Sequence, residues 1–331
     1  MQDANCTHCS GCIVSNGARP TGIAIALASI LSTRLATQLD HPRSTINNPA
    51  LLQRYRPSFD TFATMPSYVV TGASRGLGLA FVKHLASIEG NTVIGLVRNK
   101  KATEEHLAQD GFKNIKVVSA DITDAKALAA AAIEVSTITG GSLDVLINNA
   151  ALIAPGSAYL DLTQQTPEEL QEDLMTSFQA NVVGVAHTIN AFLPLIRKGR
   201  LKKVVTLSSG MADIDLINEY NIAVAGPYSV SKAATNALIA KYNAAFGKKE
   251  GICFFCISPG YVQTSAEQPT TERETAGMQS MVEAFMKYAP HFKGAMSAED
   301  SVKAQMDVID HATVQTMGGS FVSHLGNKQW L

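Results

Sequence analysis

The sequence predicts an α/β fold, a doubly wound parallel sheet of about seven strands with helices on both faces. Three observations carry this. Short runs that are apolar throughout, rather than alternating, recur from residue 67 onward, as expected of strands buried on both faces. Segments of helical length separate these runs, which is the arrangement of βαβ units. A glycine-rich turn, "TGASRGLG", ends the first run and opens the first helix.

The elements follow in order. "SYVVTG" (67–72) reads as a strand and 77–88 as a helix; "NTVIGLVR" (91–98) is a second strand, with a polar helix at 101–109. "NIKVVSAD" (114–121) is a third strand, followed by an alanine-rich helix over 124–138, and "LDVLINNA" (143–150) is a fourth. A helical stretch runs from 167 to 197, interrupted by Pro194 near its end. "KKVVTLSS" (202–209) is a fifth strand, 228–246 a helix, "GICFFCISPG" (251–260) a sixth strand and "GGSFVSH" (318–324) a seventh.

Composition bounds the function. Of 331 residues, 46% are hydrophobic and 17% charged, a globular balance able to bury a substantial core. With 27 basic and 28 acidic side chains there is no basic excess to attract nucleic acid. No apolar run approaches the ~18 residues of a membrane span. One domain is expected over 65–331. Residues 1–64 differ in character, rich in Ser, Thr, Asn, Pro and Arg, with one short apolar patch at 22–31. They read as a disordered extension, an organellar targeting segment, or the product of a start upstream of Met65. A cytoplasmic location is expected, with organellar targeting left open.

The cysteines point away from a metal. Cys6, Cys9 and Cys12 in "CTHCSGC" resemble a metal loop, but no fourth ligand is evident unless His8 serves, and incidental cysteines are the expectation. Cys253 and Cys256, three apart on a strand, should face opposite ways as small core side chains.

The glycine turn places Gly72, Gly76 and Gly78 between strand and helix. Glycine there permits a tight turn and lets a pyrophosphate approach the helix N-terminus. The second strand ends at Arg98 rather than at a carboxylate, and Arg75 lies within the turn. Two guanidinium groups suit a 2′-phosphate, so NADP(H) is the expected cofactor.

"YSVSK" sets Tyr228 and Lys232 one helical turn apart on one face. A free tyrosine titrates near pH 10, and a neighbouring ammonium would lower that value and make the phenol a proton shuttle. Ser209 ends the fifth strand, at the carboxyl edge where such sheets bind ligands. Asn148 and the alanines of "NNAA" end the fourth strand, where cofactor would lie close. Asn181 lies mid-helix, a position that needs a partner; it is either a satisfied core group or a relay through water to Lys232.

With these motifs, the Asp121 of "SADITD" and "SPGYVQT", the chain resembles the short-chain dehydrogenase/reductase family over essentially all of 65–331. The resemblance implies a Rossmann-type sheet and a catalytic tetrad of Asn181, Ser209, Tyr228 and Lys232. It implies that Gly72, Ser74, Arg75, Gly76, Leu77, Gly78, Arg98, Asn148 and Ala150 surround the cofactor and that Asp121 meets its adenine. Pro259, Gly260, Val262 and Thr264 would lie along the nicotinamide, while Lys232 would bind its ribose. Family members are often homo-oligomers.

Two departures stand out. The family's NNAG reads NNAA, with Ala151 for glycine, and Ser209 and Tyr228 are 19 residues apart, more than the family's usual spacing. The insert at 210–226 is expected to loop over the site and shape substrate choice. It and the ending "GNKQWL" are similar to fungal members, including ketoreductases of polyketide pathways. The segment after Thr264 is expected to form a mobile cover, whose methionines and Phe285 either line an apolar pocket or pack as core.

The expected activity is interconversion of a ketone or aldehyde with an alcohol, using NADP(H), no metal, and no nucleic-acid or membrane partner. The alternatives are a non-catalytic NADP(H)-binding sensor or scaffold, and a dehydratase or epimerase on the same scaffold.

Overall fold

Seven apolar runs pair side by side as the sequence predicts. β1 (Ser67–Thr71), β2 (Thr92–Val97), β3 (Ile115–Ser119), β4 (Val145–Asn148), β5 (Lys203–Leu207), β6 (Cys253–Ser258) and β7 (Phe321–Ser323) form one sheet in the order β3-β2-β1-β4-β5-β6-β7. Every neighbouring pair is parallel. The structure, a computed structural model, describes residues 65–263 and 269–331. Residues 1–64, with Cys6, Cys9 and Cys12, and the site candidate Thr264 lie outside the described residues.

Side-chain alternation along each strand divides the core in two. Val70, Ile147, Val205 and Phe255 face one layer, while Val69, Leu146, Val204 and Phe254 face the other. Cys253 joins the first cluster and Cys256 the second, so the two thiols do point to opposite faces. Burial pushes these thiols up to about 11 and about 12, which keeps them protonated and inert. Phe254 and Phe255 are both wholly buried, and each such side chain contributes roughly 1.5–3 kcal/mol.

The helices cover both faces. α1 (Gly76–Ala86) and α2 (Lys100–Gln109) add Phe81, Leu85 and Leu107 to the first layer. α3 (Ala125–Thr139) adds Leu128 and Val135 to the second. The stretch predicted over 167–197 comprises α4 (Pro167–Phe178), a π turn (Gln179–Val183) and α5 (Gly184–Ile196). Pro194 lies inside α5 without ending it. It and Asn190, whose carbonyl loses its helical partner, are both exposed, so water can take the freed group.

The insert and the expected cover differ from the sequence expectation, and two helices near the end of the sequence lie where none was expected. The insert expected to loop contains a helix, α6 (Ile214–Tyr220), capped by Asp213, whose carboxylate accepts from Asp215 N and Leu216 N, and stopped at Asn221 in the left-handed region. Beyond α7 (Gly226–Tyr242) and α8 (Lys248–Glu250), the expected cover holds α9 (Glu272–Tyr288), started by a Thr271/Glu274 capping box. Of its apolar residues, Met281 and Phe285 are buried in a third cluster, while Met286 is exposed. α10 (Ala298–His311) and α11 (Val314–Met317) complete the fold, with Val302, Met306 and Ile309 of α10 in the first layer.

The strand order reverses between β1 and β4, and the crevice beyond their carboxyl ends is where such sheets take ligands. No helix among the described residues is long and apolar enough to cross a membrane.

Candidate active site

β1 delivers the chain into the crevice at Gly72, where φ is +68°, and a second left-handed residue, Gly76 with φ +55°, starts α1. A Cβ on Gly72 would sit 2.9 Å from Ala150 Cα, and one on Gly78 would collide with the Gly72 carbonyl. A Cβ on Gly76 would meet nothing within 4 Å, so that position opens onto free space. No side chain caps α1, and its first turn carries no carboxylate. Unsatisfied N–H groups and the positive end of the helix dipole therefore face the turn, as a pyrophosphate requires. Ser74 and Arg75 are exposed beside it, and Leu77 is half-buried.

Two residues that the sequence reading passed over hold this turn. Thr71 Oγ1 accepts from Asn149 N and Ala150 N, both at 3.0 Å, while Asn149 Nδ2 donates to the carbonyls of Thr71 at 2.8 Å and Gly72 at 3.2 Å. Asn148, the asparagine assigned to the cofactor, is instead buried at the end of β4, donating to Thr206 Oγ1 at 3.2 Å. A threonine ending β1 and the second asparagine of "NNAA" were the available signals.

At the end of β2, Arg98 is exposed and lies close enough to Asp121 to influence it. Asp121 Oδ1 accepts from Thr123 N at 2.8 Å and Thr123 Oγ1 at 2.7 Å. These bonds, aided by Arg98, hold its carboxyl below the usual range. Neither Arg75 nor Arg98 forms an ion pair among the described residues.

The structure brings Ser209, Tyr228 and Lys232 together. Ser209 follows β5 and starts a short 3-10 turn (Gly210–Ala212), its Oγ accepting from Met211 N at 3.2 Å. Its side chain lies near enough to the Tyr228 phenol to favour the phenolate, so the two come together across the insert. Lys232, 2% exposed, donates from Nζ to Leu207 O at 2.7 Å and lies 5.8 Å from the centre of the Tyr228 ring.

Here the electrostatics depart from expectation. Burial pushes the Tyr228 phenol up to about 12 against the opposing influence of Ser209, and pulls the Lys232 ammonium down to about 8. The ammonium lies over the ring and on a carbonyl, which gives it little purchase on the phenolic oxygen. Tyr228 thus holds its proton at neutral pH.

Asn181 occupies the π turn, wholly buried. Its Oδ1 accepts from Leu152 N at 2.8 Å, and its Nδ2 donates to Leu152 O at 2.8 Å and Ser231 Oγ at 2.9 Å. Ser231 Oγ donates in turn to Tyr228 O at 2.7 Å. The asparagine therefore ties the loop after β4, which clamps the glycine turn, to the helix carrying Tyr228. Both hydrogens of its amide are used on protein partners, in keeping with a satisfied core group.

After β6, Pro259 O accepts from Ser301 Oγ at 2.6 Å, and Gly260 turns the chain with φ +82°. A Cβ there would be 2.9 Å from His324 Cε1. Val262 pairs with Met296 in a parallel bridge. The insert, α9 and Trp330 form the third apolar cluster, against which Tyr228 packs.

Comparison with known proteins identifies the family and the fold. The family model for short chain dehydrogenase matches residues 67–275. The chain is similar to short-chain dehydrogenase/reductase AacuF of Aspergillus aculeatus, at 55% identity over 267 residues, 81% of this chain and 100% of that one. It is similar to short chain dehydrogenase virK of Hypocrea virens at 47% identity over 272 residues, again 81% and 100%. Among solved structures, an NADPH-bound carbonyl reductase from chicken fatty liver shares the fold, with TM-score 0.62 and 24% identity over 80% of this chain and 98% of that one. Carbonyl reductase Sniffer of D. melanogaster does so with TM-score 0.62 and 22% identity, covering 80% and 98%.

Proposed function

The chain belongs to the short-chain dehydrogenase/reductase family and is an oxidoreductase, and from that premise we propose that it interconverts a ketone or aldehyde and an alcohol with NADP(H), in the manner of a polyketide-type ketoreductase. What supports this is the meeting of Ser209, Tyr228 and Lys232 beyond the carboxyl end of β5, with Lys232 Nζ 5.8 Å from the Tyr228 ring and bonded to Leu207 O.

The residues fit the cofactor. Gly72, Ser74, Gly76, Leu77 and Gly78 line an uncapped helix start that suits the pyrophosphate; a side chain at Gly72 or Gly78 would break the close packing that shapes it, and Gly76 opens onto free space. Arg75 and Arg98 would take the 2′-phosphate, and Asp121 the adenine. Ala150, with Asn148 behind it, would floor the site. Pro259, Gly260, Val262 and Thr264 would run along the nicotinamide, and Lys232 would hold its ribose. When bound, the reduced nicotinamide supplies a hydride to the carbonyl carbon.

The chain's own groups supply the rest. Ser209 Oγ holds the carbonyl oxygen, and Tyr228 gives that oxygen its proton. A phenol with a pKa of about 12 is protonated at neutral pH, the form an acid needs for reduction. Asn181 positions the Tyr228 helix through Ser231. The apolar wall beside Tyr228 favours a bulky apolar carbonyl over a small polar one. NADPH oxidation across a panel of phenanthrenequinone, menadione and tetralone tests the reading.

Lys232 adds a pH dependence. In the free chain its ammonium, pulled down to about 8 by burial, is complete below that pH and lost as pH rises through it. NADPH affinity is expected to be level at lower pH and to weaken by up to about tenfold per pH unit above. Fluorescence titration of wild type and Lys232→Met checks this, since the variant should bind more weakly and with no such limb. Level wild-type affinity on both sides of the transition would remove Lys232 from the ribose site.

The domain is proposed to be 65–331, with residues 1–64 dispensable for catalysis. The 81% of the chain that matches the whole of AacuF is also the share running from Met65 to Leu331. A variant starting at Met65 is expected to keep NADPH binding and turnover, and loss of either would show that the extension belongs to the enzyme.

A further inference from the structure

Trp330, the next to last residue of the sequence, is 3% exposed, though it follows a stretch of turns on the surface. After β7 the chain doubles back. Gly326 N donates to Ser323 O at 2.9 Å, Ser323 N to Asn327 O at 2.7 Å, and Gln329 N to Asn327 Oδ1 at 2.8 Å. This lays the Trp330 indole on the Phe321 ring, with centroids 4.4 Å apart and planes at 16°. Lys328 Nζ covers both rings, 5.0 and 5.1 Å from their centres.

Three elements of the substrate side converge on this residue. Trp330 N donates to Tyr288 Oη at 3.0 Å, and Tyr288 Oη donates to Lys328 O at 3.1 Å, which fixes the end of α9. Tyr288 meets Tyr220, the last residue of α6 in the insert, edge to face at 5.3 Å. The side chain also lies against Gly210, where a Cβ would be 2.8 Å from Trp330 Cβ and 3.1 Å from Trp330 Cγ. Gly210 directly follows Ser209, and its N–H donates to Ser258 Oγ at 3.0 Å. The turn that aims the Ser209 hydroxyl is therefore held between β6 on one side and the Trp330 side chain on the other.

We propose that Trp330 is a positioning residue: it clamps the Ser209–Gly210 turn, and with it α6 and α9, in the geometry that receives the carbonyl. This rests on the reading of Ser209 and Tyr228 given above. Trp330 touches no reacting group in this scheme. Its effect passes through the turn, and displacements of about 1 Å at a reacting centre can cost on the order of 100-fold in rate.

The test compares wild type, Trp330→Ala, Trp330→Phe and Gly210→Ala as full chains. NADPH sites are counted by fluorescence titration, and kcat and KM are measured with the fastest of phenanthrenequinone, menadione and tetralone. Trp330→Ala is expected to keep NADPH affinity within about threefold while kcat/KM per NADPH site falls roughly 10- to 100-fold. Trp330→Phe should recover most of that loss, because a flat ring can still stack on Phe321. A merely structural role would lower NADPH sites and turnover in proportion, leaving turnover per site and KM unchanged, and that result would overturn the proposal. Should Trp330→Ala fail to fold, Gly210→Ala decides, because its methyl pushes the Trp330 side chain away from the turn without deleting the indole; unchanged kcat/KM there would also overturn the proposal. Tyr228→Phe serves as the control. If it turns over normally the underlying reading fails; if it is inactive while Trp330→Ala is normal, the clamp alone fails.

Discussion

Tyr228→Phe is expected to lower turnover by about a thousandfold while NADPH binds within a few-fold of wild type. The magnitude is that of removing a positioned general acid. The phenol is the proton source nearest the oxygen that Ser209 is proposed to hold, and its high pKa keeps it loaded at neutral pH. Phenylalanine preserves the ring over which the Lys232 ammonium lies, and the backbone carbonyl that accepts from Ser231 is untouched. The loss should therefore fall on kcat, with little change in thermal stability. Turnover close to wild type would mean that water or another side chain supplies the proton.

Arg98→Asp is expected to raise the KM for NADPH by roughly 10- to 100-fold while the KM for NADH changes little or falls. A charge-assisted hydrogen bond to phosphate is worth about 1.5–3 kcal/mol, and the substitution adds repulsion. Arg98 follows β2 and is exposed, with Asp121 as its charged neighbour, so its guanidinium is available to a ligand. The new carboxylate could instead accept from ribose hydroxyls, which is the route to NADH. Steady-state kinetics with both cofactors checks this. An unchanged ratio would assign the phosphate to Arg75 alone.

Much of this was legible in the sequence because strands buried on both faces cannot hide their composition. Runs such as "CFFCIS" state both the strand and the alternation that sends Cys253 and Cys256 to opposite layers. The glycine turn was equally plain, since two of its residues need left-handed backbone and a third needs close approach. Ser209 at the end of β5 and Tyr228 at the start of α7 were singled out from their chemistry despite the long spacing between them.

What escaped depends on contacts between distant residues. α10 buries Ser301 and Gln305 completely, Ser301 donating to Pro259 O and Gln305 to Ser301 Oγ. Two polar side chains on its buried face broke the apolar stripe by which a helix is recognised. α6 is short and draws its stability from Leu216 in the third cluster, which no local pattern announces. Thr71 and Asn149 lie far apart in sequence and act as a pair only once β1 and β4 lie side by side. The sense of the Tyr228 shift was missed for a related reason. A Tyr-x-x-x-Lys spacing places an ammonium nearby, but burial and the Leu207 carbonyl decide where its charge is felt.

The central claim is that this chain moves a hydride to a carbonyl carbon and a proton to its oxygen. The most direct measurement incubates the protein with a ketone and NADPH deuterated at the transferable C4 position, then locates the label by mass spectrometry. One NADPH should be consumed per alcohol formed, with deuterium on the carbinol carbon and none transferred by Tyr228→Phe at a comparable rate. NADPH that binds stoichiometrically but is recovered unchanged across the carbonyl panel would contradict it, and would make the chain a cofactor-binding sensor built on an enzyme's fold.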